Sequence, residues 1–169
     1  VTMATGANTY GTAVGVAAYV PRYTNSANEF DDAGGSRPPL VRVEAWLDQV
    51  SAMVNSALSE YGFVVPVAQP DAVMMLAAFV ESHVASIVAG VNGHGRFAQQ
   101  GQRPLGPDEI FMELFDLVGK WVRSHVKGLS ALGATLRSGL DEDDLAGVRS
   151  VALYPVSGDT TEVTFLERF

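Results

Sequence analysis

The chain contains no cysteine among its 169 residues. That excludes disulfide frameworks and thiolate zinc sites, and it fits a reducing compartment. Basic residues are scarce, with 11 Lys and Arg against 19 Asp and Glu and a net charge of -8. Holding nucleic acid by phosphate neutralisation needs clustered Lys and Arg, so this balance argues against it. An acidic wall can still line a conduit, because it repels phosphates and keeps DNA from sticking. No HExxH, Walker A or GxSxG stretch occurs. The opening VTMATGANTYGT has no basic segment followed by an apolar one, so no signal peptide is expected there.

The histidines offer little chemistry. His83, His94 and His125 are far apart, and none has a carboxylate at a standard metal spacing. Glu81 and His83 are two residues apart and point to different faces of a helix. His83 and His125 therefore read as ordinary helix residues. Gly93-His94-Gly95 follows a helix and not a strand, which makes it a helix stop and loop, not a phosphate cradle. No catalytic residue, metal ligand or cofactor is expected.

What is present is a strong helical pattern. Hydrophobic residues make up 47% of the chain, as in a globular domain. Residues 71–91, DAVMMLAAFVESHVASIVAGV, are apolar on nearly every side, with Pro70-Asp71 as a start and Gly90 and Gly93 as a stop. A helix of this kind must be covered by other helices or other subunits. A membrane span is the competing reading, but the longest uninterrupted apolar run is 72–80 and Glu81-Ser82-His83 sits mid-segment. A buried core helix is expected, with Met74 and Met75 as core filling.

Residues 1–9 read as a loose arm, followed by a short helix, TAVGVAAYV, capped by Thr12 or Thr9 and ended by Pro21. Residues 23–39, YTNSANEFDDAGGSRPP, have no period, and a loop of that length is usually functional or disordered. It is expected to be mobile and to order on contact with a partner. From Leu40 to Tyr61, Val43, Trp46, Leu47, Val50, Met53, Val54, Ala57, Leu58 and Tyr61 follow the helical spacing. Arg42, Glu44, Asp48, Gln49, Asn55, Ser56, Ser59 and Glu60 fall on what reads as the solvated side. The linker FVVPVAQP is extended because of its two prolines, with Phe63, Val64 and Val67 turned back to the core.

A polar, glycine-rich stretch leads to a second stripe: Ile110, Phe111, Leu114, Phe115, Leu117, Val118, Trp121, Val122, His125, Val126 and Leu129. Gly119, Gly128 and Gly133 each weaken this helix by about 1 kcal/mol, so a bend or break is expected near Gly128, with a weaker helix over 129–137. Asp141, Glu142, Asp143 and Asp144 form an acidic run. Beyond it SVALYPV and TEVTFLERF are β-rich and separated by a turn signal at 157–160. A lone hairpin is marginal in water, so this tail must pack on the helices or pair with another chain.

The expected fold is therefore mainly α: a bundle of about four helices with a long N-terminal loop and a C-terminal β-hairpin or extended strand arm. Residues 1–138 make the helical domain and 139–169 an acidic linker and β arm.

The order of these features resembles the head-to-tail connector (adaptor) proteins of long-tailed, siphovirus-type bacteriophages. The likeness rests on Tyr10-Gly11-Thr12 with VGVAAYVPRYT, on PPLVRVEAWLDQVSAMVNSALSEYGF with the VVPV linker, on the apolar helix that follows, and on the terminal VTFLERF. The 23–39 loop and the 90–106 connection depart from that pattern. The resemblance implies a structural virion protein of the neck, made in the host cytoplasm and active in no catalysis. It would form a ring, of twelve copies, beneath the portal protein. The ring would extend the channel for double-stranded DNA without reading its sequence, and would receive neck, head-closure or tail proteins below. On this reading Val163, Phe165, Leu166 and Phe169 dock to the portal or another partner. Asp31, Asp32, Asp141, Glu142, Asp143 and Asp144 would face the channel. Two other classes stay open: a cytoplasmic helical-bundle enzyme or ligand-binding domain, and a DNA-packaging factor.

Overall fold

The computed structural model describes residues 6–92 and 107–137, and by its contacts the chain divides into two units, Val1–Ser138 and Gly139–Phe169. All described residues lie in the first unit. Its elements are α1 (Ala13–Tyr19), a 3-10 turn (Pro21–Tyr23), α2 (Leu40–Glu60), α3 (Pro70–Val91) and α4 (Pro107–Ala131). The described part is mainly helical with four α-helices, as the periodicity predicts.

α3 is the centre of the packing, with α1, α2 and α4 all against it and α2 also against α4. Its buried side chains, among them Leu76, Phe79, Val80, Val84, Ile87 and Val88, cover a broader arc of the helix than a single stripe. α2 buries one face instead: Val43, Trp46, Leu47, Val50, Val54 and Leu58. On α4 the buried set is Leu114, Val118, Val122, Val126 and Leu129, three steps of four residues and a last one of three. By length and composition α3 could also cross a membrane, but in this fold these side chains meet other helices. Met74 departs from the expected core filling: it is 69% exposed, on the first turns of the helix.

α2 and α4 end in the same way. At α2, Gly62 takes φ +78° and the N–H of Phe63 donates to Leu58 O at 3.0 Å. At α4, Gly133 takes φ +86° and the N–H of Ala134 donates to Leu129 O at 3.0 Å. Both are left-handed glycine caps with a six-to-one hydrogen bond, and in each the residue after the glycine is buried against the helix it leaves. The two exits then pair. Val64 N donates to Thr135 O and Arg137 N to Gly62 O, each at 2.8 Å, around an antiparallel bridge of Phe63 with Leu136. Arg137 Nη2 donates to Ser59 Oγ and Arg123 Nε to Tyr61 Oη, so side chains fasten the same corner.

This corner corrects the reading of 129–137 as a weak helix after a break at Gly128. α4 runs straight through Gly119 and Gly128 and stops only at Ala131. A glycine costs a helix about 1 kcal/mol, whereas burying Leu129 beyond it contributes about 1.5–3 kcal/mol. Packing wins. The turn comes at Gly133, where the backbone needs positive φ.

The 23–39 segment also differs from expectation, because it has a hydrogen-bonded frame of its own. Asn25 Oδ1 accepts from the N–H groups of Ala27 and Glu29, and Asn25 N donates to Glu29 O. The Asp31 carboxylate accepts from Asn25 Nδ2 and from Gly35 N, both at 2.9 Å. Ser36 is buried, and its hydroxyl accepts from Asp31 N at 2.8 Å. Phe30 inserts into the core at 5% exposure. The segment serves α2: Leu40 N donates to Asp31 O and Val41 N to Asp32 Oδ1, which satisfies two N–H groups that a helix start leaves without partners.

Candidate functional site

Of the residues singled out from the sequence, Val163, Phe165, Leu166, Phe169, Asp141, Glu142, Asp143 and Asp144 lie outside the described residues. Asp31 and Asp32 lie inside, and the structure brings them together in the loop just described. The Asn25 side chain, followed by backbone N–H groups, holds the Asp31 carboxyl below its ordinary range. Asp32 is exposed and caps α2. Both carboxylates thus have structural partners.

The polar residues that build a site are others. Asp48, Ser51 and Asn55 stand at i, i+3 and i+7 on α2, so they share one face. That face is covered by residues 6–12. Asp48 Oδ1 accepts from Gly6 N at 3.0 Å and from the Thr9 hydroxyl. Ser51 Oγ, 1% exposed, accepts from Tyr10 N at 2.9 Å. The Tyr10 hydroxyl donates to Asn55 Oδ1 at 2.7 Å and accepts from Val67 N at 2.8 Å. Burial pushes this phenol's pKa up, against the opposing pull of the Val67 N–H. Asn55 Nδ2 reaches Asn8 O. Residues 6–9, read from the sequence as a loose arm, are therefore laid onto α2. Asp48 and Asn55, read as solvated, hold them there.

Glu81 completes the seat from α3. Its Oε1 accepts from Thr12 N at 2.8 Å and from Thr12 Oγ1 at 3.3 Å, while Thr12 Oγ1 accepts from Gly15 N. The carboxylate lies at the N-terminus of α1, where negative charge is favoured. It fits only because residue 15 is glycine: a Cβ there would lie 2.0 Å from Glu81 Oε1. Nearby, Glu44 Oε2 is buried without a hydrogen-bond partner, and burial, then Asp32 and Asp48, raises that carboxyl's pKa.

A second constellation joins α3 to α4. Four rings meet in series: His83 tilted against Phe79 at 4.0 Å, Phe79 tilted against Trp121 at 4.2 Å, and Trp121 stacked on His125 at 4.4 Å between centroids. The sequence signal is an internal echo, Phe79-Val80-Glu81-Ser82-His83 against Trp121-Val122-Arg123-Ser124-His125, which reading by period alone does not find. In each copy the serine hydroxyl donates to the aromatic residue's carbonyl at 2.8 Å. The histidine Nδ1 lies 2.8 Å from that same carbonyl, so it must carry the proton. Ser124 Oγ is 2.9 Å from His125 Nδ1, a distance that suggests a nucleophile and its base. The tautomer contradicts that: a protonated Nδ1 cannot take the serine's proton. The charged residue of each echo reaches elsewhere, Glu81 to α1 and Arg123 to Tyr61.

No protein-family model matches the chain, and neither a curated protein nor a solved structure matches it. Function must be argued from the residues themselves. A shallow groove of about 200 Å³ lies beside α1, lined by Ala13, Val14, Glu29, Phe30 and Leu40. Ligand pockets run from about 300 to 1,000 Å³ and carry several converging polar groups, whereas this one has only Glu29. Among the described residues no three His, Asp or Glu side chains converge as metal ligands would.

Proposed function

We propose that this chain is a structural subunit of a phage head-to-tail connector, which joins a ring beneath the portal protein and extends the DNA channel toward neck or tail proteins. The resemblance in the order of its segments supports the reading. The observation that carries it is the distribution of large apolar side chains left open: Val14 on α1 at 70%, Met74 on α3 at 69%, and Met112 and Phe115 on α4 at 75% and 50%. A ring closed by head-to-tail contacts needs two different patches on each subunit, and a docked layer needs a third. Apolar side chains exposed on three helices suit that requirement. The acidic balance of the chain suits a wall past which DNA slides. Among the described residues, the groove beside α1 gives the ligand-binding alternative little support, because its size and lining fit a ligand poorly.

Mixing the full chain with a cognate portal ring and imaging the product by electron microscopy tests the proposal. An added layer is the expected result. A chain lacking residues 161–169 should keep its helical circular dichroism yet fail to add that layer. Full retention of binding by the shortened chain would remove the docking role from Val163, Phe165, Leu166 and Phe169. A portal ring that stays bare with the full chain would overturn the connector reading itself.

A further inference from the structure

We infer that residues 6–19 form a detachable strap over α3, which opens while the α2–α3–α4 core stays folded. The inference starts from how the strap is held. The hydrogen bonds that tie residues 6–12 to α2, α3 and the linker all run through side chains: Asp48, Ser51, Asn55, Glu81 and the Tyr10 hydroxyl. The backbone bonds of this stretch are local, Thr9 N to Gly6 O and Val16 N to Thr12 O. No strand or helix ladder has to be broken to lift it.

The helix that follows is weak by itself. α1 has seven residues, far below the roughly 12–15 that an isolated helix needs in water. It buries only Val16 and Ala17, while Val14 and Tyr19 stay exposed. The long helices each bury five or more side chains. Residues 6–12 add one buried anchor, Tyr10 at 3% exposure with its bonds to Ser51 Oγ and Val67 N, while the bonds of Gly6 to Asp48 and of Thr12 to Glu81 are exposed. Segments with few buried apolar groups open at free energies below that of global unfolding. What the strap covers gives the opening a consequence. α1 packs chiefly on α3, the helix that is apolar on nearly every side, so opening bares an apolar flank of α3 on a chain that is otherwise folded.

Native-state hydrogen exchange on the full chain, read by mass spectrometry over peptides from α1, α2 and α4, tests this without any partner. Its failure is thus distinguishable from failure of the connector reading. In the unaltered chain the α1 amides should exchange at least tenfold faster than those of Val54, Leu58 or Val122, with a much weaker dependence on added urea. Val122→Ala, in a fully buried α4 position, should speed the α2 and α4 amides about tenfold by lowering global stability. It should leave the α1 rate unchanged, because α4 stays folded when the strap opens. If α1 and α4 amides share one rate and one urea dependence, or both speed up together in Val122→Ala, the strap is part of the global unit and the inference fails. The urea dependence of the unaltered chain decides the matter even if the variant does not fold.

Discussion

Gly15→Ala should change the sign of its effect according to whether Glu81 is present. In an ordinary helix the substitution stabilises by about 0.5–1 kcal/mol, because glycine loses more backbone freedom on folding than alanine. Here the new Cβ would lie 2.0 Å from Glu81 Oε1, 2.1 Å from Cδ and 2.3 Å from Oε2, so the carboxylate must swing away. It then loses Thr12 N, now at 2.8 Å, and its place at the helix N-terminus. A hydrogen bond to a charged acceptor contributes about 1.5–3 kcal/mol when shielded, and this one is exposed, so about 1–1.5 kcal/mol is a fair loss. The net effect of Gly15→Ala is then a destabilisation of roughly 0.5 kcal/mol. In a Glu81→Ala background the three atoms nearest to that Cβ are gone. The same change should stabilise by about 0.5 kcal/mol. The four chains of this cycle can be compared by urea unfolding followed by circular dichroism at 222 nm. A coupling of about 1–1.5 kcal/mol is expected, well above the roughly 0.5 kcal/mol scatter of independent sites. Additive effects would refute the claim that the Glu81 carboxylate rests on the face of Gly15.

Tyr10→Phe removes the donor to Asn55 and leaves Val67 N without its acceptor, and should lower stability by about 1–3 kcal/mol at pH 7, read as a drop in urea midpoint. Because burial raises the folded-state pKa of Tyr10 above the ordinary phenol value of 10.0, its contribution is fully present below that pH. It is lost as pH climbs from there through the raised folded value. The gap between the unaltered chain and Tyr10→Phe should therefore shrink above pH 10, and a gap that widens would contradict the assignment. Gly128→Ala and Gly133→Ala should move stability in opposite directions. The first fills open space inside α4 and should stabilise by up to about 1 kcal/mol, whereas the second forces alanine to φ +86° and should cost about 1–2 kcal/mol. Equal effects in a thermal melt would mean that α4 does not end where described.

The amino-acid pattern by itself determined the helices. Buried stripes at spacings of three and four, prolines at the starts of 40–60 and 70–91, and Gly62 at the end of α2 are local signals, legible without knowing the partner surface. It did not reveal where α4 stops. The price of Gly128 is local, but the burial of Leu129 that offsets it depends on neighbours far away in the chain. Nor did it give roles to Asp48, Asn55 and Glu81, whose spacing on a helix says only that they avoid the buried stripe. Whether such a residue meets water or a polar group 39 or more positions away has no periodic signature, because that partner is supplied by the tertiary fold. The same reason hid the frame of the 23–39 loop. Its asparagine, aspartates and serine look like any polar linker until α2 presents the unpaired N–H groups that Asp31 and Asp32 satisfy. Period belongs to one helix and can be read along it, whereas a hydrogen bond belongs to two places and exists only once folding has joined them.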